Sequence, residues 1–133
     1  MSDSGAGSIQ GGGGDDRIAS GMLNDVIEGG TGNDTLDGGS GTADWVSYAN
    51  ASGAVTVDLG AASSAGADGE DSLTGIEVVL GSNHDDSLLG SANNETLIGS
   101  AGNDTIDGDD GDGDWLSYAN TSGSVTVDLG AAS

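Results

Sequence analysis

A nine-residue period constrains this chain more than any other feature. An acidic residue recurs once per nine residues, followed two positions later by a large apolar one. The cleanest copy is Gly29 to Asp37, Gly-Gly-Thr-Gly-Asn-Asp-Thr-Leu-Asp, which fits the pattern G-G-x-G-x-D-x-U-x with U a large apolar residue. Its glycines permit the positive φ of a tight turn and aim their carbonyls at a common point. Asp34 adds a carboxylate, which makes an all-oxygen set suited to a hard cation such as Ca²⁺. Thr35-Leu36-Asp37 then forms a short strand from which only Leu36 points inward. One such unit can neither hold an ion nor bury a leucine alone, so it needs stacked copies.

The copies are present. Gly11 to Ala19 fits fully, with Asp16 and Ile18 in the key positions. Ser20 to Glu28 keeps Asp25 and Ile27 but has Leu23 in place of the fourth glycine. Ser2 to Gln10 is degenerate, with Gly7 where the acid belongs and Ile9 as the apolar residue. Gly38 to Val46 carries one extra residue, so Asp44 and Val46 arrive a position late. The period resumes at Gly81 to Leu89, Gly90 to Ile98 and Gly99 to Asp107, where Asp86, Glu95 and Asp104 precede Leu88, Leu97 and Ile106. Gly108 to Leu116 again has one extra residue before Asp114.

Between the two blocks the pattern changes. Trp45 to Asn50 and Ala54 to Leu59 alternate as strands do, with Val46 and Tyr48 on one face and Val55, Val57 and Leu59 on another. The small residues between Gly60 and Asp71 read as a surface loop. Ser72 to Leu80 reads as one strand, with Leu73, Ile76 and Val78 or Val79 as core candidates. A longer period overlies the short one. Trp45 and Trp115, Tyr48 and Tyr118, and Asp34 and Asp104 are each 70 residues apart, and Gly53 to Ser63 recurs with one change as Gly123 to Ser133. The chain divides into a first unit, 1–76, and a second, incomplete unit, 77–133, within one continuous roll.

A turn of six and a strand of three, taken twice, makes one coil of a flattened parallel solenoid. Frames two apart then stack on the same edge, about 4.8 Å apart. That logic pairs Asp16 with Asp34, Asp25 with Asp44, Asp86 with Asp104, and Glu95 with Asp114. The acids number 23 against one basic residue, Arg17, for a net charge of -22. Such a charge excludes nucleic acid and anionic membranes as partners. A chain this acidic is either a disordered tail or one that folds when cations neutralise it, and the strict period selects the second. With no cysteine there is no disulfide or zinc-thiolate site, and no N-terminal signal peptide or membrane-spanning run is visible.

The nonapeptides, together with the segments Trp45-Val-Ser-Tyr-Ala-Asn50, Val55 to Leu59 and Leu73-Thr-Gly-Ile-Glu77, give the chain a resemblance over nearly its whole length to the RTX (repeats-in-toxin, haemolysin-type calcium-binding) family. The resemblance implies an all-β, right-handed parallel β-roll with Ca²⁺ bound in the turns and a chain largely unfolded without it. It implies a ligand set of turn residues Gly11, Gly13, Gly29, Thr31, Gly38, Gly99 and Ala101 with the acids Asp16, Asp25, Asp34, Asp44, Asp86, Glu95, Asp104 and Asp114. The Asp16/Asp34 and Asp86/Asp104 sites are expected to be best formed and the Glu95 site weak or displaced, because Leu23, His84 and Asn93 replace the fourth glycine and Glu95 replaces Asp. It also implies secretion, by the type I route, to the extracellular space or cell surface.

The remaining residues are blander. His84 is a turn residue, Arg17 a solvated outward one, and Tyr48 and Tyr118 belong to the core or its edge. Trp45 and Trp115 alternate with Val46 and Leu116, which puts them on the outer face as a contact surface or as local packing against the extra turn residue. No catalytic constellation or cofactor pocket is present, so the expected role is a non-enzymatic calcium-binding module. A second expectation is head-to-tail self-assembly into a filament. A solenoid without capping repeats exposes strand edges, and the end at Ser133 is nearly in phase with the start at Met1-Ser2. The competing reading is a fragment of a larger adhesin, S-layer protein or secreted enzyme whose activity lies elsewhere. Ice binding, which some RTX adhesins achieve with stacked T-G-N loops, is not expected, since only Thr31-Gly32-Asn33 has that triplet.

Overall fold

The period of nine becomes coils built mostly from three-residue strands. The computed structural model describes residues 5–119 and 121–128, and among these it contains fourteen strands and no helix. The first eight are β1 (Ser8–Gly13), β2 (Arg17–Ala19), β3 (Val26–Thr31), β4 (Thr35–Asp37), β5 (Trp45–Ser47), β6 (Val55–Asp58), β7 (Ser63–Gly66) and β8 (Gly69–Thr74). The rest are β9 (Val78–Leu80), β10 (Ser87–Leu89), β11 (Thr96–Ile98), β12 (Thr105–Asp107), β13 (Trp115–Ser117) and β14 (Thr126–Asp128). They form a six-stranded sheet in the order β1-β3-β5-β9-β11-β13 and an eight-stranded one in the order β14-β12-β10-β6-β7-β8-β4-β2. The chain passes from one sheet to the other at each turn except along β6, β7 and β8, which stay in one sheet, and all pairings are parallel except those that β7 makes. This is the β-solenoid that the period predicts.

Each three-residue strand from β2 to β13 turns its central side chain toward the core, whereas Val127 of the terminal β14 is 42% exposed. In the six-stranded sheet Ile9, Ile27, Val46, Val79, Leu97 and Leu116 stand in register, and in the other Ile18, Leu36 and Leu73 form one row and Val57, Leu88, Ile106 and Val127 another. Ile27, Leu36, Val46, Val57, Val79, Leu97 and Ile106 are completely buried. The core is therefore two narrow ladders of aliphatic side chains, with Tyr48, Leu59, Leu116 and Tyr118 packed against it. The extra residue of each long frame is absorbed in its turn, since Val26 pairs with Trp45 and Thr96 with Trp115 in unbroken register. The tryptophans fall in one outward rank, Val26-Trp45-Val78-Thr96-Trp115. They differ in environment: Trp115 is 70% exposed, whereas Trp45 is half-buried and its rank neighbour Val78 is almost closed to solvent.

Two expectations for the middle of the chain are corrected. The small-residue stretch after Gly60 is not a surface loop, because β7 and the start of β8 form an antiparallel hairpin that continues from β6. Strand geometry here comes from main-chain pairing on both sides of β7, which an apolar pattern does not report. Ser72 to Leu80 is not one strand either. It is the end of β8 and all of β9, separated where Gly75 takes φ +61° and the chain crosses between sheets. All four core candidates there, Leu73, Ile76, Val78 and Val79, are buried. Strands β1 and β3 outrun their predicted three residues because their turns pair main chain to main chain, Gly12 with Gly30 and Gly13 with Thr31. Leu129 of the predicted closing strand, and the Met1-Ser2 and Ser133 ends used in the phase comparison, lie outside the described residues.

Candidate metal centre

The acidic residue of each frame, sixth or in the long frames seventh, is brought back over its own turn. A methyl group placed on Gly29 would stand 2.2 Å from Oδ2 of Asp34, so the first position is glycine because the carboxylate occupies that space. The same relation holds between Gly11 and Asp16 (2.7 Å), Gly99 and Asp104 (2.4 Å), and Gly108 and Asp114 (2.7 Å). Sequence position thus places one carboxylate in each turn, beside that turn's own carbonyls.

Stacking then links the turns through their acids. The amide of Asp16 donates to Oδ1 of Asp34 at 2.9 Å, that of Asp25 to Oδ1 of Asp44 at 2.8 Å, that of Asp86 to Oδ1 of Asp104 at 3.1 Å, and that of Glu95 to Oδ1 of Asp114 at 3.0 Å. All four expected pairs are neighbours. Even the degenerate first frame keeps step, with the amide of Gly7 donating to Oδ1 of Asp25 at 2.8 Å. The structure adds two acids that the frame count overlooked. Asp71 Oδ1 accepts the Asp34 amide at 3.0 Å, and Glu77 Oε2 accepts the Asp44 amide at 3.0 Å. Their signal was present, because Asp71-Ser-Leu73 and Glu77-Val-Val79 both spell the acid-x-apolar tail that closes every frame.

These bonds use one carboxylate oxygen and leave the other. Oδ2 of Asp16, Asp25, Asp34, Asp44 and Asp104 is buried without a hydrogen-bond partner. Buried anionic oxygens without donors are strongly unfavourable, and at each of these five a cation's charge would compensate for the missing donor. Burial, the largest influence, pushes the Asp34 carboxyl above its ordinary value; the Asp16 amide opposes this and the charges of Asp71, Asp16 and Asp15 add to it. Among the described residues no three acidic or histidine side chains converge on one point. A cation held here would thus rest on few carboxylates and on main-chain carbonyls, the donor set of a hard ion. Of the turn residues expected to help, the Thr31 carbonyl accepts the Gly14 amide at 2.7 Å and the Gly38 carbonyl accepts the Ser20 hydroxyl at 2.6 Å, each keeping a second lone pair. Gly11, Gly13, Gly29, Gly99 and Ala101 lie in the same turns as the acids. The residues fit a calcium ion.

Three acids are arranged otherwise. Asp71 turns Oδ2 into the core, where the Tyr48 and Ser64 hydroxyls both donate to it at 3.0 Å, and Tyr48 lies 2.7 Å from Ser64. Burial, with the charge of Asp71, holds the Tyr48 phenol in its protonated form, far above its ordinary range. Asp86 and Glu95 are closed by serines of their own turns. Burial also pushes the Asp86 carboxyl up, against bonds from Ser82 and Val55. Removing one donor from the Asp71 cluster strands part of a buried charge, so Tyr48→Phe is expected to destabilise the fold by about 1–3 kcal/mol. Thermal unfolding at saturating calcium measures this, and an unchanged midpoint would mean the phenol contributes nothing. His84 is an exposed turn residue, as expected.

The comparisons with known proteins agree with this geometry. The model of the RTX calcium-binding nonapeptide repeat (4 copies) matches residues 3–22, 20–42 and 80–113, more than half of the chain. The unmatched 43–79 segment contains the antiparallel hairpin. No curated protein matches the chain.

Proposed function

The chain belongs to the family of RTX calcium-binding nonapeptide repeats, and on that premise we propose that it is a non-enzymatic structural module whose roll is completed by calcium. Ca²⁺ is its cofactor. The observation that supports the rest is the row of five buried, unpartnered carboxylate oxygens. Each sits where the ion's charge would replace a missing donor. Asp16, Asp25, Asp34, Asp44 and Asp104 would hold the ions together with carbonyls of the stacked turns, and Asp114, whose turn reverses through Asp109 at φ +61°, would join them. Ions bound only by the folded roll stabilise it by mass action. The units 1–76 and 77–133 then act as one continuous roll.

Members of this family are generally secreted, and we extend that to this chain, which would cross an exporter unfolded and fold in extracellular calcium. Calorimetric titration with calcium chloride and, separately, magnesium chloride tests the function. Calcium is expected to bind at several sites, while magnesium, which demands a small octahedral shell and gives up water reluctantly, binds far more weakly. Equal binding of both ions, or of neither, would end the reading.

Assembly is a further part of the proposal. Among the described residues β1 and β2 at one end, and β13 and β14 at the other, each pair on one side only. Copies stacked end to end would continue both sheets. Light scattering in millimolar calcium is expected to show particles that grow with protein concentration, and one fixed monomer size would rule this out.

A further inference from the structure

Not every acid of the repeat is open to an ion, and the turn backbone decides which are. The turns whose acids keep an unpartnered oxygen all contain a residue in the left-handed region. These are Gly12 and Gly14 for Asp16, Gly21 for Asp25, Gly30 and Gly32 for Asp34, Gly39 for Asp44, and Ser100 and Gly102 for Asp104. Leu23 in the fourth position of its frame is tolerated because Gly21, at φ +123°, makes the reversal alone. Among the described residues the turns of 81–89 and 90–98 contain no positive φ at all.

In those two turns a serine takes over. The Ser82 amide donates to Oδ2 of Asp86 at 2.6 Å and its hydroxyl donates to Oδ1 at 2.6 Å. The Ser91 amide donates to Oε2 of Glu95 at 3.2 Å, and its hydroxyl makes a short bond to Oε1. Each hydroxyl in turn accepts the amide of the fourth-position residue, His84 at 3.0 Å and Asn93 at 3.1 Å. Both oxygens of each carboxylate are thus engaged by donor hydrogens of their own turn, where the open acids leave one oxygen without a donor. Both serines are buried, so water does not compete for these bonds. A serine in the second position is insufficient by itself: Ser100 takes φ +73° beside Gly102, and Asp104 keeps its open oxygen.

We propose that Ser82 and Ser91 exclude calcium from the turns that hold Asp86 and Glu95, which makes the coil containing β10 and β11 an ion-free splice between two calcium-dependent blocks. Asp71, capped by Tyr48 and Ser64, extends the ion-free stretch toward the first block. This rests on the calcium reading above and sharpens it, because the number of ions is then smaller than the number of frames. The expected prominence of an Asp86/Asp104 site passes to Asp104 alone.

Native mass spectrometry of the whole chain at saturating calcium counts the ions. Asp34→Asn is expected to lower the count by one, Asp86→Asn and Glu95→Gln to leave it unchanged, and Ser82→Gly with His84→Gly to raise it by one. Loss of an ion from folded Asp86→Asn or Glu95→Gln, or no gain in the double-glycine variant, overturns the proposal. If Asp86→Asn does not fold, the double-glycine variant decides. A parent chain that carries no calcium overturns the underlying reading instead, which the Asp34→Asn control separates from failure of the serine caps.

Discussion

Addition of excess EGTA is expected to remove most of the strand signal from the far-ultraviolet circular dichroism of this protein, and restored calcium to return it. The magnitude follows from linkage. Each independent site that only the folded chain offers contributes about 1.4 kcal/mol per tenfold rise in free calcium above its dissociation constant. Five open carboxylates make that roughly 7 kcal/mol per decade, against a typical total stability of about 5–15 kcal/mol. A drop of one to two decades in free calcium therefore spans the whole margin. Two features of the chain add to it: a net charge of -22 that repels itself without counterions, and a core of two narrow aliphatic ladders. The unfolding midpoint should climb steeply with calcium and much less with magnesium. A midpoint indifferent to EGTA would mean that the sites are decoration on a roll already stable without them.

The second large effect is steric. Gly30→Ala places a methyl group 1.9 Å from the carbonyl oxygen of Gly12 in the neighbouring coil, at a φ of +104°. Neither main chain can withdraw, because Gly12 and Gly30 are register partners in the β1–β3 ladder. A loss of about 4 kcal/mol or more is expected, the range of changes that break packing outright. Gly12→Ala is the matched control, with nearly the same φ, +103°, and nothing within 4 Å of the added carbon. Its cost should be that of the left-handed backbone alone, about 1–2 kcal/mol. Thermal unfolding of both variants at one saturating calcium concentration measures the difference. If the two midpoints fall together, interlocking of the coils is not what requires glycine at Gly30.

Much of the candidate site was legible because neighbouring coils repeat at nearly constant sequence separation. The amides of Asp16 and Asp86 reach acids 18 residues on, and those of Asp25 and Glu95 reach acids 19 residues on, where the extra turn residue lies. A period fixes such pairs as soon as it is noticed. Asp71 was not legible as a pair because it meets Asp34 across 37 residues, after the chain has run forward along β6, back along β7 and forward again into β8. Glu77 was hidden for the same reason, at 33 residues from Asp44. The serine caps were missed differently. Ser82, Ser91 and Ser100 hold the same frame position, and the third differs in the positive φ of its turn, which has Gly102 where the others have His84 and Asn93.

Sequence alone determined the coil, the two aliphatic ladders, the acids that stack and the hard-ion chemistry of the turns, because each depends on residues at fixed offsets within one repeating unit. Tertiary structure alone decided where the parallel winding is interrupted by a hairpin, which acids bond to Tyr48, Ser64, Ser82 or Ser91, and which five keep a buried oxygen open. Those outcomes depend on which distant strand becomes a neighbour and on the path of the backbone through each turn. Local spacing determines neither of these, and the chain settles both only as the coils close on one another.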